Sequence, residues 1–305
     1  MSIIANQLST AAARTDRLAH WMPALALPTL VLLAGAQWHP ALVAWLLAAT
    51  IFAGFKWLAF ASSQAARGAS LAESLKFLFL WPGMDADAFL SPRELSPREI
   101  RRPSVREVGM AVTMTFIGLL LILAIPLLSA WPVAVRGWLG LVGMAMFLLF
   151  GVSQLISIAW RICGVDAQPI MNKPLRATSL ADFWGSRWNL AFHDIGRVFV
   201  LRPLGRRFGW PAATIAVFLF SGLVHDLAMS VPVRAGFGLP TLYFLLQGAA
   251  VLLERSPFGK RWGLSRGWRG RAFAAMMVLA PLGLLFHQPF LQGVVLPSIA
   301  WLLPG

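Results

Sequence analysis

Eight apolar runs, each close to the length of a bilayer-spanning helix, constrain this chain more than any other feature of its sequence. A helix needs about 20 mainly apolar residues to cross the hydrocarbon, where an unpaired backbone group has no partner. The sequence is 58% hydrophobic and only 12% charged, unlike that of a soluble domain. It predicts an all-α integral membrane protein with about eight transmembrane helices in one polytopic membrane domain, residues 1–305. The runs lie at about 21–37, 40–60, 108–129, 137–160, 211–231, 236–253, 271–286 and 288–303.

Some parts of the chain predict helices that do not cross the bilayer. Residues 71–81 are apolar but too short to span it, and a Pro-Gly pair closes the run, so we predict an interfacial or re-entrant helix. The last two runs are short and are separated by a His-Gln-Pro turn at residues 287–289. They are compatible with two spans, one broken helix or a re-entrant pair. Ser-Pro pairs at Ser91 and Ser96 predict helix starts in the loop that contains them.

The basic residues alternate between the connections in a way that predicts the orientation of the chain. Three loops, at about 61–107, 161–210 and 254–271, carry most of the 26 Lys and Arg residues. Cytoplasmic loops hold the excess of positive charge in membrane proteins. We therefore expect these loops and both termini to be cytoplasmic. We also expect a multi-pass protein of the bacterial inner (cytoplasmic) membrane.

The net charge of +14 raises the question of nucleic-acid binding. The arginines are scattered over three separate loops instead of forming one basic patch, and the positive-inside rule already accounts for them. We therefore predict no nucleic-acid partner. The single cysteine, Cys163, excludes an intrachain disulfide framework, and no Cys/His spacing resembles a zinc site, so no metal is expected.

His225 lies inside an apolar run, about 20 Å along the helix from its predicted cytoplasmic end. Ionisable residues are costly in the membrane interior and are usually functional there. Ser221 and Met229, one turn before and after, share the helix face of His225, whereas Asp226 is turned about 100° away. A neutral histidine hydrogen-bonded for structural reasons is the alternative.

An aromatic and cationic segment follows Ser179, which has the character of a helix N-cap. We predict a helix that continues from there through residues 179–203. In such a helix Gly185, Asn189 and His193 are each four residues apart and share one face. The amide of Asn189 is a candidate functional group, and the alternative is that it caps a neighbouring helix.

The remaining aromatic and histidine residues have simpler interpretations. Trp184 and Trp188 lie on an adjacent face of the predicted helix, and tryptophans in such positions often anchor a protein at the membrane interface. His193 is followed by Asp194, which repeats the His-Asp pair at position 225. His287 falls in a predicted outer turn, where a solvated or interfacial role suffices.

These motifs together resemble the wax-synthase branch of the membrane-bound O-acyltransferases. Asp-Phe-Trp-Gly at 182–185 and Arg-Trp-Asn at 187–189 precede Ser-Gly-Leu-Val-His at 221–225 in the order and spacing of that family. Leu-Trp-Pro-Gly-Met-Asp at 80–85 and Leu-Phe-His-Gln-Pro-Phe at 285–290 also fit. The resemblance implies the fold of that family and covers most of the chain from about residue 70.

The resemblance also implies a reaction, the transfer of an acyl group from acyl-CoA to the hydroxyl of a lipophilic alcohol. Asn189 corresponds to the active-site asparagine of the family and His225 to its catalytic histidine. A neutral imidazole is a suitable base for the hydroxyl proton, and an amide can position the reacting groups. Acyl-CoA is then a co-substrate, no cofactor is needed, and membrane lipid surrounds the protein. The residues expected to contact substrate are Trp184, Arg187, Trp188, His193, Ser221 and Asp226.

Other residues and reactions complete this interpretation. The loop arginines at 176, 187, 197 and 202 are candidates for binding the phosphates of coenzyme A, since guanidinium groups bind phosphate well. Two alternatives remain open from the sequence. His225 and Asp226 would act as an acid-base pair in an isoprenoid cyclase or isomerase, or as a proton relay in a transporter.

Overall fold

The computed structural model describes residues 19–91 and 100–302, and regular structure within these ranges is entirely helical. The predicted all-α membrane fold is therefore confirmed. The helices are α1 Met22–Ala34, α2 Pro40–Ser62, α3 Leu71–Leu80, α4 Ala86–Leu90, α5 Val105–Ala124, α6 Val133–Ala145, α7 Ser153–Ile162, α8 Leu180–Ser186, α9 Leu190–Gly196, α10 Arg202–Phe208, α11 Trp210–Val233, α12 Leu239–Arg255, α13 Pro257–Arg261, α14 Gly267–Leu279, α15 Leu282–Leu285, α16 Gln288–Phe290 and α17 Leu296–Leu302. Ser91 is described and follows the last residue of α4, whereas the helices predicted to start at Ser91 and Ser96 would begin within 92–99, outside the described residues.

Every predicted apolar run is helical, but fewer than eight helices are long and apolar enough to span a bilayer by themselves. Among the described residues four qualify, namely α2, α5, α11 and the continuous helix Val133–Ile162 formed by α6, a π-helical stretch and α7. The segments Gly267–Leu285 and Gln288–Leu302 are bent by 64° against each other. Counted as one broken span, they make a fifth, in agreement with the predicted alternative of a broken or re-entrant pair.

Helix α2 is the centre of the largest hydrophobic core. Half of its most apolar 18-residue stretch is buried, compared with 17–28% in the other three spans. Lys56 on this helix is buried, donates a hydrogen bond to the Gly83 carbonyl and lies 3.4 Å from the centre of the Phe77 ring. The short helix α3 is thus fastened to α2, and its interfacial or re-entrant character stays a prediction.

Helices α11 and α12 form an antiparallel hairpin in close contact. Gly222 makes this contact possible, because a Cβ there would lie 2.6 Å from the Thr241 Cα atom. Asp226 accepts hydrogen bonds from the Gly238 and Thr241 backbone N–H groups at 2.9 and 3.1 Å and from the Ser230 hydroxyl at 2.9 Å. The Asp226 carboxylate therefore fixes the turn of the hairpin and points away from the face of His225.

His287 is not the solvated turn residue that the sequence suggested. Its side chain is only 3% exposed and lies at the break between α15 and α16. Nδ1 accepts from the Phe290 N–H at 3.3 Å, so the remaining proton is on Nε2, 3.2 Å from the Ser230 hydroxyl. His287 thus joins the broken span to the α11–α12 hairpin. The prediction failed because the turn is folded into the protein instead of facing water.

Candidate active site

The predicted continuous helix over residues 179–203 is wrong, because the chain breaks between α8 and α9. Ser179 does cap α8, accepting from the Asp182 N–H at 3.0 Å. The helix ends at Ser186, however, and Asn189 takes the left-handed conformation, with φ 43° and ψ 60°. Gly185, Asn189 and His193 therefore do not share one helix face. Asparagine tolerates left-handed geometry better than most residues and is a favoured N-cap, and both properties are used here.

Neighbouring backbone holds this break in place. The Leu190 N–H donates to the Ile170 carbonyl at 2.9 Å, and the Asn172 N–H donates to the Arg187 carbonyl at 2.8 Å. Arg187 pairs through Nε with Asp182 at 2.7 Å. Partial burial would raise the pKa of Asp182, but hydrogen bonds from Ser186, from the Thr178 N–H and from Arg187 outweigh it and lower that pKa to about 2. Asp182 is thus ionised at neutral pH and fastens the loop.

A cavity with an empty volume of about 870 Å³ opens between α8, α9, α11 and α12. The part of it that water-sized molecules can occupy is about 150 Å³, since the larger figure also counts space open to the surroundings. Among the sequence-predicted site residues, the cavity wall includes Trp184, Trp188, Asn189, His193, Ser221 and His225. The other lining residues are Ala181, Gly185, Phe192, Gly196, Arg197, Leu201, Thr214, Val217, Phe218, Phe244, Val251 and Arg255.

One face of α11 lines the cavity along its length. Thr214, Val217, Phe218, Ser221 and His225 all line it, and their spacing of three or four residues is that of a single helix face. The distance along the axis from Thr214 to His225 is roughly 16 Å. Arg255, at the end of the antiparallel α12, also lines the cavity. The cavity is therefore elongated, with His225 towards one end and Thr214 towards the other.

The surroundings of His225 determine which ring nitrogen carries its proton. Nδ1 lies 2.7 Å from the Ser221 carbonyl oxygen, one helical turn earlier. A carbonyl oxygen only accepts hydrogen bonds, so the hydrogen of the neutral ring must be on Nδ1. Nε2 then keeps its lone pair. The ring centre lies 4.5 Å from that of Phe244 and 6.0 Å from that of Phe192, so aromatic side chains surround the imidazole.

The two polar groups of the Asn189 side-chain amide have different surroundings: the oxygen caps a helix, and the NH₂ group can face the cavity. Its Oδ1 accepts from the Phe192 N–H at 3.4 Å and so caps α9. This role is close to the alternative stated above, in which the amide caps a neighbouring helix. Because Oδ1 faces an N–H donor, the NH₂ group is on the other side of the amide. Asn189 also lines the cavity that contains His225, so its NH₂ group is a candidate hydrogen-bond donor there.

The two tryptophans belong to the cavity wall instead of a simple interfacial ring. Trp184 packs edge-on against Phe218, at 5.9 Å between ring centres, and lies 5.6 Å from Phe244. Trp188 stacks on Phe183 at 5.5 Å with an angle of 18° between the rings. These aromatic contacts give the wall a defined shape, since stacked and edge-on pairs have preferred geometries.

The structure separates two predicted site residues from this cavity and adds one that sequence reasoning missed. Arg187 is engaged with Asp182, and Asp226 with the turn after α11; neither lines the cavity. Their predicted contact with substrate stays a prediction. Arg255 was missed because nothing in its local sequence distinguishes it from the other arginines of the basic loops. Only the antiparallel return of α12 brings it beside α11.

Comparison with known proteins bears directly on this segment. Residues 167–246, which contain the α8–α9 break and all of α11, match the family model described as the membrane bound O-acyl transferase family. The predicted family resemblance is confirmed. The match to the membrane bound O-acyl transferase family includes both Asn189 and His225.

Curated relatives extend the membrane bound O-acyl transferase resemblance. Probable long-chain-alcohol O-fatty-acyltransferase 9 of Arabidopsis thaliana is 34% identical over 158 residues, 48% of this chain and 46% of the relative. Long-chain-alcohol O-fatty-acyltransferase of Simmondsia chinensis is 36% identical over 106 residues, 32% of this chain and 30% of the relative. The chain thus spans less than half the length of these relatives. Both are plant proteins, so the expected bacterial inner membrane stays a prediction.

Proposed function

We propose that this protein is a membrane-embedded O-acyltransferase that transfers a fatty acyl group from acyl-CoA to the hydroxyl of a long-chain alcohol. The observation that carries the proposal is the pair of complementary groups in one cavity, a basic Nε2 on His225 and an amide donor on Asn189. The names of the curated relatives supply the substrate class, long-chain alcohols and fatty acyl groups.

In the proposed reaction the alcohol oxygen attacks the thioester carbonyl while Nε2 of His225 takes the hydroxyl proton. The Ser221 carbonyl, which holds Nδ1–H at 2.7 Å, stabilises the imidazolium that forms. The Asn189 amide donates to the oxyanion, or orients the attacking hydroxyl. The C–S bond then breaks, and the imidazolium returns the proton to the departing thiolate. The products are a neutral ester and a thiol, and His225 is neutral again.

The elongated cavity suits a donor whose thioester and phosphates are far apart. Arg255 lines the cavity and forms no ion pair within the described residues, whereas Arg197 is paired with Asp194 at 3.1 Å. The roughly 16 Å along the axis from Thr214 to His225 leaves room for an extended arm between a phosphate group at one end and a thioester at the other. We therefore assign phosphate binding to Arg255, assisted by Arg197, in preference to Arg176, Arg187 and Arg202. Exclusion of water along this path would also suppress thioester hydrolysis.

Neither alternative function gains support from the geometry. Both the isoprenoid cyclase or isomerase and the proton-coupled transporter rely on His225 and Asp226 acting together. Asp226 is held by Ser230, Gly238 and Thr241 on another face of α11. An acid-base pair that shares one substrate would need both groups in the same cavity.

The test is the acyl transfer from labelled acyl-CoA to fatty alcohols by the purified protein in detergent or nanodiscs. Wild type should form labelled wax ester, and His225→Ala should lower kcat by at least about a thousandfold because the general base is lost. His20→Ala, outside the cavity wall, is the matched control and should retain full turnover. Unchanged ester formation by a correctly folded His225→Ala protein would contradict the proposal.

A further inference from the structure

The end of α14 presents carbonyl groups that its own helix cannot satisfy. The Met277 carbonyl would accept from the backbone N–H of residue 281, but that residue is Pro281, which has none. Helix α14 ends at Leu279, so the Val278 carbonyl is also near a helix terminus. Buried carbonyls without partners are costly, and their partners here come from α12.

Two polar side chains on α12, one turn apart, occupy these positions. The Tyr243 hydroxyl donates to the Val278 carbonyl at 3.2 Å, and the Gln247 Nε2 donates to the Met277 carbonyl at 2.7 Å. Tyr243 is 1% exposed and Gln247 is fully buried. Both residues therefore cap the end of α14 across the helix interface.

Gln247 differs from Tyr243 because the other half of its amide reaches the wall of the cavity. Its Oε1 accepts from the Trp184 Nε1–H at 3.3 Å. The Met277 carbonyl fixes the orientation of the amide, because NH₂ must face a carbonyl, and Oε1 is consequently directed at the indole. Trp184 is the residue whose ring contacts Phe244, which in turn lies 4.5 Å from His225.

We infer that Gln247 is a positioning residue that holds the Trp184 indole and thereby sets the length of alkyl chain that fits beside His225. This inference rests on the proposed function. The Trp184 indole donates its N–H to Gln247. It cannot rotate to enlarge the cavity without leaving the buried Gln247 amide oxygen unpaired, which is costly. The wall between Phe218 and Phe244 therefore stays closed to longer chains. The alkyl chain can belong to the acyl donor or to the alcohol, and varying each separately distinguishes them.

The test compares Gln247→Met, Trp184→Phe, the double variant and Tyr243→Phe. Chain-length preference is measured as the ratio of kcat/KM for long and short substrates, with acyl-CoA and alcohol varied separately. Gln247→Met should change this ratio by about tenfold, similar to the discrimination by one or two methylenes in an apolar pocket, with a smaller change in kcat for the best substrate. The effects of Gln247→Met and Trp184→Phe should not add in the double variant, since both remove the same hydrogen bond.

Tyr243→Phe is the matched control, because it removes the neighbouring cap of α14 without touching Trp184. It should lower thermal stability about as much as Gln247→Met and leave the preference unchanged. An unaltered preference in Gln247→Met, an equal change in Tyr243→Phe, or additive effects in the double variant would overturn the inference.

A binding experiment separates this inference from the proposed reaction. The affinity of the purified protein for fatty alcohols of increasing length, and separately for fatty acyl-CoA of increasing length, should lose its length dependence in Gln247→Met for the substrate whose chain lies beside His225. A wild type that binds alcohols with a length preference but forms no ester would contradict the proposed function alone. A preference that survives Gln247→Met in binding would contradict the positioning role, whichever reaction the cavity carries out.

Discussion

Asn189 combines a structural and a chemical requirement in one side chain. Its backbone is in the left-handed region, its Oδ1 caps α9, and its NH₂ group is left for the cavity. A left-handed conformation costs most residues about 1–2 kcal/mol, and asparagine less. A residue that satisfied only the backbone, such as glycine, would allow the same break and leave the cavity without its amide.

This combination leads to a prediction that separates the two roles. Asn189→Gly should keep the α8–α9 break, with a stability loss of at most about 1 kcal/mol, because glycine tolerates φ 43° and is an acceptable N-cap. Its kcat for acyl transfer should fall by about 10²–10³-fold through loss of the amide donor. Asn189→Ala should lose activity and also stability, because alanine is strained at this φ. Thermal unfolding and turnover of both variants test this, and an active Asn189→Gly would reduce the residue to a cap.

At the scale of the helices, the sequence was informative about the long apolar elements and about the short helix α3, and misleading about the segment that contains α8 and α9. The apolar length of α2, α5 and α11 predicted each element to within a few residues, because the pattern persists over many turns. The break before α9 was missed because the four-residue spacing of Gly185, Asn189 and His193 is compatible with one face of a single helix. The signal for two helices was Asn189 itself, a residue favoured at caps and in left-handed geometry.

The hairpin of α11 and α12 depends on close contact at one glycine. Gly222→Val should force the helices apart, since even a Cβ would lie 2.6 Å from the Thr241 backbone, and we expect a destabilisation of about 1–3 kcal/mol. Turnover should fall as well, because Ser221 and His225 are on the same helix. Gly109→Ala is the control; a Cβ there has no atom within 4 Å, so stability should be unchanged or slightly higher. Equal unfolding temperatures for Gly222→Val and wild type would refute the packing argument.

At the scale of the whole molecule, the cavity includes two arginines from the loops whose positive charge predicts the orientation of the chain. The arginine-rich loops at 161–210 and 254–271 supply Arg197 and Arg255, which line the cavity. Asn189 and His225 were both predictable from their sequence motifs, and in the structure both line the cavity. Arg255 and Gln247 were not, since their roles arise only from contacts between α12 and elements distant in sequence.

The predicted orientation can be tested with single cysteines in a Cys163→Ser background. Phe237 lies in the exposed turn between α11 and α12, and Ser265 in the exposed loop before α14. In intact cells a membrane-impermeant maleimide should label Phe237→Cys and leave Ser265→Cys unlabelled until the membrane is permeabilised, because basic loops are retained inside. The opposite labelling pattern would invert the proposed topology and the side from which the donor enters.

The hydrogen bond between His225 Nδ1 and the Ser221 carbonyl has an energetic consequence for the cell. One ring nitrogen is occupied by the helix itself, so the imidazole can exchange protons with the cavity only through Nε2. In the proposed reaction the proton taken from the alcohol therefore leaves Nε2 with the thiol. A turnover takes up and releases no net proton, so ester synthesis would not need the transmembrane proton gradient.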